Sequence, residues 1–426
     1  PSRKSTVLSS CIYFIKKWRN LAVMNKQFLF AWSLVFFVAL FVLTSRGEGG
    51  SGDSKPRIFE QGHAERTETG KYWLVEVSGS WLDMGRQYGG LMGPELREFH
   101  AQVGADLEAR GASREDMLEM AKGTYANYSW QLQDVIQGVS QTSGLSVDQT
   151  MILNAGMMLL TMAALGDEPP IGCSGIAVWN GYTRDGKLIF GRNWDIDREA
   201  MRDYMRYLAV VVFHPREGHA FANIHPLGNV YLETGMNSQG LFIELNNGEY
   251  SDDSFYSQRE DTTSILVSVL NQGANVQEAV NMLRAVPADV SYILQIADPR
   301  RAVSLERPTF DARVRDLDDQ GLVIAYNSFV PPYPASWQNR VAPPKPVEHD
   351  PRYENMLQLA QSPAYKGAFT PETMMSYLEV PLEKGGAYHA GTVVQVVAVP
   401  EDLTIWMRGC EYAGWERVPL ADHLGR

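Results

Sequence analysis

One stretch limits what this chain can fold into more than any other: Ile171-Gly172-Cys173-Ser174-Gly175 and the residues that follow it. The apolar run Ile176-Ala177-Val178-Trp179 leads to a turn at Thr183-Arg184-Asp185-Gly186-Lys187. A second apolar run then ends in Gly191-Arg192-Asn193-Trp194-Asp195. Asp-Gly between two apolar runs is a hairpin signal. Pairing residues 176–179 with 188–190 returns Arg192 and Asp195 to the neighbourhood of Cys173, because antiparallel neighbours lay their ends side by side. A fixed cation beside a thiol favours the thiolate, which is the nucleophile. The stretch reads as a reactive site in outline, which any of several cysteine chemistries would fit, and our reading is that Cys173 becomes a new chain terminus.

The rest of the composition narrows the function classes. Residues 1–46 hold seven Lys or Arg and no acid, which leaves 31 basic against 50 acidic residues in the remainder. An acidic body argues against a nucleic-acid partner, which needs clustered cations. Three cysteines, Cys11, Cys173 and Cys410, make no disulfide framework, and none stands at a metal-ligand spacing. His214, His219 and His225 lie close in sequence, but no Asp or Glu joins them at a ligand spacing. No metal and no cofactor are expected.

Taken in order, residues 1–27 form a basic segment. Residues 28–45 contain an apolar run free of charge from Phe28 to Leu43. Sixteen residues fall between the lengths of a signal-peptide core and a spanning helix, and the basic flank places the N-terminal side inside. The expectation is a membrane anchor with the catalytic domain outside the cytoplasm, or an exported soluble form if the segment is cleaved. Met24 is a candidate start. Residues 46–70, opening on Gly47-Glu48-Gly49-Gly50-Ser51-Gly52, read as a linker. Residues 71–426 form one domain, divided at the candidate terminus into a helical 71–172 and a strand-rich 173–426. Ser113-Arg114-Glu115-Asp116 and Ser146-Val147-Asp148-Gln149 are helix starts. After Cys173, strands are expected at 207–213, 221–223, 240–245, 292–297, 302–306, 322–326 and 392–399, with helices at 264–272 and 276–285. Pro331 to Pro346, with six prolines, reads as a long loop. Helices followed by a many-stranded sheet indicate an α+β domain.

Several motifs in this order resemble those of the cysteine N-terminal-nucleophile (Ntn) hydrolases. They are Trp81-Leu82-Asp83-Met84-Gly85-Arg86-Gln87-Tyr88-Gly89, Gly172-Cys173-Ser174, Gly191-Arg192-Asn193-Trp194-Asp195, Gly235-Met236-Asn237-Ser238-Gln239-Gly240-Leu241, Ala325-Tyr326-Asn327-Ser328-Phe329 and Arg352-Tyr353. Within that superfamily the likeness is to the isopenicillin-N acyltransferase and carcinine hydrolase group, related to penicillin V acylase and bile salt hydrolase. The resemblance implies a four-layered αββα sandwich, self-cleavage between Gly172 and Cys173, and hydrolysis or transfer at the amide of an N-acylated small molecule. It further implies Cys173 as nucleophile with its freed α-amine as base, Arg192 and Asp195 orienting that terminus, Asn237 and Asn327 as the oxyanion hole, and Arg352 as the late arginine. Many relatives carry Asn-His-Phe where this chain has Asn327-Ser328-Phe329.

The chemistry is sound on elementary grounds. An α-amine titrates at about 7.7 to 8.0 and a thiol at about 8.5, so proton transfer between them near neutral pH loses little driving force. Gly172 gives the backbone the freedom that an N-to-S acyl shift demands. Side-chain amides donate to an oxyanion without titrating, and one such donor is worth about 2.7 to 4 kcal/mol of barrier. Plainer readings stand beside these: Arg192 with Asp195 as a structural ion pair, and Asn237 and Asn327 as turn residues. Two rival functions remain open. One is an internal Cys173–His389 hydrolase, with His389 just before the strand 392–399; the other is a membrane-anchored binding protein of the same fold. Homo-oligomerisation is left open.

Overall fold

The structure, a computed structural model, describes residues 55–165, 172–251, 261–315 and 321–425, the side chains of 157–165 excepted. The expected anchor at 28–45 lies outside the described residues. Among the described residues, no helix is long and apolar enough to cross a membrane.

The sheet begins inside the stretch assigned to a linker, which corrects that boundary. Strand β1 (Arg57–Phe59) and β2 (Gly62–Arg66) form a hairpin with Phe59 opposite Gly62, and β3 (Trp73–Gly79) pairs with β2. The turn uses Glu60 at φ 52, a conformation that the usual Gly or Asn would advertise and that a glutamate conceals.

Four helices follow: α1 (Trp81–Ala109), α2 (Arg114–Asn127), α3 (Trp130–Thr142) and α4 (Val147–Leu165). Both expected helix starts are present. Ser113 caps the Asp116 amide while Asp116 returns to Ser113, and Ser146 and Gln149 exchange the same pair of bonds. A side-chain cap of this kind is worth about 1 kcal/mol.

After Cys173 the chain makes β4 (Ser174–Val178) and β5 (Ile189–Asp195), β6 (Leu208–Pro215), β7 (Phe221–Pro226), β8 (Thr234–Asn237) and β9 (Phe242–Asn247). Helices α5 (Thr262–Gln272) and α6 (Val276–Arg284) lead to β10 (Tyr292–Ala297), β11 (Ala302–Arg307), β12 (Arg313–Arg315) and β13 (Leu322–Ala325). The proline-rich segment is an irregular loop that buries Trp337. Helices α7 (Arg352–Gln361) and α8 (Pro371–Leu378) were not foreseen, and they precede β14 (Thr392–Val399), β15 (Thr404–Gly409) and β16 (Glu416–Pro419).

Two sheets result. One has ten strands in the order β1-β2-β3-β6-β7-β8-β9-β10-β11-β12, antiparallel except for β3 with β6; the other has six, in the order β13-β4-β5-β14-β15-β16. Helix α1 packs on β3, and α8 packs on β5 and β14. Phe190 of the small sheet meets Phe242 of the large one at 4.8 Å between ring centroids, an aromatic contact worth about 0.5–1.5 kcal/mol beyond its area. The sheets approach closely at Gly175, where a Cβ would collide with Gln295 and Glu244 of the facing sheet. Only glycine fits there.

Candidate active site

The β4–β5 hairpin pairs Gly175 with Arg192 and Ala177 with Phe190, so Cys173 enters the sheet beside the end of β5, as its spacing suggested. The Cys173 side chain is buried, and its Sγ receives Arg192 Nη2 at 3.8 Å and lies 3.9 Å from the Asp195 carbonyl. Burial pushes the thiol up to about 12; Arg192 pulls it down, while Glu233 and Asp195 push it up.

Arg192 bridges the two sheets. Its Nη2 donates to the Leu245 carbonyl at 2.9 Å, Nη1 to Thr234 Oγ1, and Nε lies 3.1 Å from Glu244 Oε2, with Glu233 3.7 Å away. Burial opposes its charge, but the Cys173 sulfur and the two carboxylates outweigh that and hold the guanidinium above its usual value. Glu244 and Glu233 are both lifted by burial to about 7, with Arg192 opposing. The sequence carried a sign of this network: a glutamate in the inward row of an apolar strand, Phe242-Ile243-Glu244-Leu245, needs a buried cation.

The bond between Gly172 and Cys173 is gripped from the other side. Arg352, at the start of α7 and fully buried, donates through Nη1 to the carbonyl oxygens of Gly172 and, at 2.9 Å, of Cys173. Its other face is held in a fork by Asp350, Nε to Oδ1 at 2.8 Å and Nη2 to Oδ2 at 2.7 Å. Such bidentate pairs fix geometry as well as charge. Burial raises the Asp350 carboxyl, but the Arg352 hydrogen bonds and charge hold it below its usual range. Asn327, just beyond β13, donates Nδ2 to the Asn247 carbonyl at 2.7 Å and accepts Arg352 Nη2 on Oδ1 at 3.2 Å. A Cβ on residue 172 would stand 2.6 Å from Asn327 Oδ1; the glycine is there for close approach. Asp350 escaped the sequence reading, although Asp350-Pro351-Arg352 carries the acid within reach of the guanidinium.

Asp195 ends β5 opposite Thr392 of β14. Its carboxylate is buried, lies 3.9 Å from Arg352 Nη1 and 3.3 Å from His389 Nε2, and neither oxygen has a hydrogen-bond partner. His389 Nδ1 accepts the Gly391 amide at 3.0 Å, which leaves Nε2 facing Asp195. His389 is thus directed at the carboxylate and not at the thiol, against a Cys173–His389 pair.

Asn237 is a correction. Both amide hydrogens of Nδ2 are spent on the carbonyls of Leu270 at 2.8 Å and Gly273 at 2.7 Å, and Oδ1 accepts from Gln239 and Leu241 at 3.0 Å. It builds the turn that ends at Gly240, φ 78, and has no donor left for an oxyanion. Thr234, at the opposite end of the same strand, is the β8 residue that reaches Arg192. The structure therefore brings together Cys173, Arg192, Asp195, Asn327, Arg352 and Gly172, and leaves Asn237 elsewhere. Among the described residues, no three His, Cys, Asp or Glu are placed to hold a metal. His225 lies tilted against Trp194 at 5.4 Å between ring centroids, and burial lowers its pKa to about 3.

Residues 182–384 match the family model of acyl-coenzyme A:6-aminopenicillanic acid acyl-transferase. That stretch is thus similar to an acyl-transferase family. The matched span takes in Arg192, Asp195, Asn327 and Arg352 and starts after Cys173. An uncharacterized protein of Archaeoglobus fulgidus is 22% identical over 260 residues, 56% of this chain and 43% of its own length, so the chain spans less than half of that relative. Among solved structures, the Caenorhabditis elegans ortholog of N-acylethanolamine-hydrolyzing acid amidase is similar at 19% identity, covering 54% of this chain and 93% of its own, with a TM-score of 0.40. A variant of the conjugated bile acid hydrolase of Clostridium perfringens matches at 14% identity, 59% and 93% coverage and a TM-score of 0.40. Penicillin V acylase of Agrobacterium tumefaciens matches at 14%, 58% and 86%, with a TM-score of 0.35. The described residues form a mixed fold of helices and two sheets, within which residues 182–384 resemble an acyl-transferase family.

Proposed function

We propose that this chain is a precursor that splits its own Gly172–Cys173 bond and then works as a cysteine amidohydrolase or acyltransferase on N-acylated small molecules, within a four-layered αββα arrangement. One observation carries the reading: Arg352 Nη1 sits on the Gly172 carbonyl oxygen, the atom that turns into an oxyanion if the adjacent thiol attacks.

Self-cleavage runs as follows. Cys173 Sγ forms a bond to the Gly172 carbonyl carbon while Arg352 holds the oxygen and Asn327 stands beside it. The C–N bond breaks, the Cys173 nitrogen takes up the proton, and a thioester remains. Water then hydrolyses the thioester to a Gly172 carboxylate and the free thiol. The new ammonium emerges near Asp195, whose two buried oxygens lack partners in the intact chain; a charge-assisted bond there would orient the terminus. In the mature protein the α-amine takes the thiol proton, Sγ attacks the substrate carbonyl, and the amine returns the proton to the leaving nitrogen. Water or a second amine then takes the acyl group from Cys173.

N-terminal sequencing of the larger fragment tests this: it should begin at Cys173, and Cys173→Ala should stay one chain. A wild-type protein that remains a single chain and hydrolyses acyl amides would end the proposal. The same reading places the catalytic domain outside the cytoplasm on the apolar segment 28–45, to be checked by protease accessibility in intact cells.

A further inference from the structure

We propose that the walls around Gly172 set the acyl specificity of the mature enzyme. It takes acyl groups whose α-carbon is an unbranched methylene and rejects those with a substituent where an L residue carries its side chain. This rests on the self-cleavage reading above, because the first acyl group that Cys173 meets is then residue 172 itself.

The space around that acyl group is a mould of it. Its carbonyl oxygen is fixed by Arg352 Nη1, and its carbonyl carbon must lie within reach of Cys173 Sγ for attack. With those two points set, the α-carbon has little freedom to turn away. A Cβ built on it would meet Asn327 Oδ1 at 2.6 Å, Nδ2 at 2.7 Å and Cγ at 2.8 Å, where ordinary contact starts at 3.4 Å.

The wall does not give way cheaply. Asn327 is pinned at both ends of its carboxamide, to the Asn247 carbonyl at 2.7 Å and to Arg352 Nη2 at 3.2 Å. Arg352 is itself locked in the Asp350 fork. Swinging Asn327 aside breaks bonds to two partners, and the alternative, sliding the acyl group, moves its carbonyl out of line. A misplacement of about 1 Å at a reacting centre costs on the order of a hundredfold in rate. Straight-chain fatty acyl and arylacetyl amides satisfy the rule; N-acylated peptides ending in an L residue other than glycine at the scissile carbonyl do not.

The test has two arms. In the full chain, Gly172→Ala should split at least a hundredfold more slowly than wild type, followed by intact mass, while a cooperative melt shows that it folds. In processed wild-type protein, hexanoyl p-nitrophenyl ester and the two enantiomers of its α-methyl analogue are compared by the p-nitrophenolate burst and the mass added to Cys173. In this step the Sγ–acyl bond forms, the ester C–O bond breaks, p-nitrophenolate departs and the thiol proton passes to the α-amine. Rates are normalised to the reaction of each ester with free cysteine.

The enantiomer matching an L residue should acylate at least a hundredfold more slowly than the straight chain. Asn327→Gly should raise the branched-to-straight ratio at least tenfold even while lowering both rates. Branched and straight esters reacting within threefold, or Gly172→Ala splitting at the wild-type rate, overturn the α-carbon rule and leave self-cleavage standing. If wild type never splits, or the hexanoyl ester leaves Cys173 unmodified, the reading beneath falls and the rule falls with it.

Discussion

Replacing Arg352 by Gln isolates the interaction on which self-cleavage turns. The guanidinium makes two kinds of contact: donors to the Gly172 and Cys173 carbonyls and a fork to Asp350. Loss of a preorganised oxyanion donor costs about 2.7–4 kcal/mol, or on the order of a hundred- to a thousandfold in the cleavage rate. A separate loss comes from the buried Asp350 carboxylate, which would lack its counter-ion; breaking such a pair costs about 3–5 kcal/mol of stability. Rate and stability must therefore be read apart. The double variant Arg352→Gln, Asp350→Asn removes the stranded charge, so its melting temperature should recover most of the loss while cleavage stays slow. Asp350→Asn alone keeps the cation but loosens the fork, and should slow cleavage by about tenfold. Cleavage is followed by intact mass and folding by thermal melting. A double variant that folds and splits at the wild-type rate would refute the role given to Arg352.

Other perturbations separate the remaining residues. His389→Ala should slow self-cleavage by no more than about tenfold, because the imidazole faces Asp195, whereas a general base at that position is worth about 10²–10⁴-fold; a complete loss in a folded variant would restore the Cys–His reading. Asn237→Ala should lower stability by about 2–4 kcal/mol in chemical denaturation, since two buried carbonyls lose their donors at about 1–3 kcal/mol each, with cleavage of the folded fraction unchanged; a cleavage defect at full stability would return Asn237 to the oxyanion hole. Burial sets Cys173 at about 12 against an ordinary 9, so the thiolate fraction, and with it the self-cleavage rate, should climb about tenfold per pH unit from pH 7 to 9; a flat profile would show that thiolate formation does not limit the step. The same shift has a stability sign. The folded thiol holds its proton after the unfolded one has lost it, so the contribution is complete below pH 9 and is lost as pH rises towards 12. The slow-splitting Arg352→Gln, Asp350→Asn chain should show that alkaline slope in a melting series and lose it when Cys173→Ala is added.

What was legible in the chain follows the reach of each interaction. The Cys173–Arg192 contact spans nineteen positions across one hairpin, and an Asp-Gly turn with two apolar runs is enough to place it. Arg352 meets Gly172 across 180 positions, which no periodicity encodes; only the ordered motifs pointed to it. Asn237 shows a limit of another kind. An asparagine that builds a turn and one that binds an oxyanion are the same residue type in the same glycine-rich setting, and the difference lies in where the two amide hydrogens go. The carbonyls of Leu270 and Gly273 that take them lie at the C-terminal end of α5 and just beyond it, more than thirty residues downstream. The β1–β2 hairpin was hidden because its turn uses Glu60, and α7 and α8 because they follow a proline-rich loop that reads as the end of regular structure.

Asp195 gives the site its direction in time. A buried carboxylate with no hydrogen-bond donor is costly in a finished protein, because removing a charge from water without a partner is among the least favourable steps in folding. Arg352 at 3.9 Å and His389 at 3.3 Å offset part of that cost without making a hydrogen bond. In the intact chain the Cys173 nitrogen is an amide; under the self-cleavage proposal it would become an ammonium with three donors at the same end of the sheet. On that proposal the peptide bond withholds from Asp195 the partner that its hydrolysis would create. Cleavage should stabilise the fold as well as activate it: the processed protein should melt above an uncleaved Cys173→Ala chain, and Asp195→Asn should erase most of that difference. Equal melting temperatures for the processed and uncleaved forms would mean that Asp195 waits for something other than the new terminus.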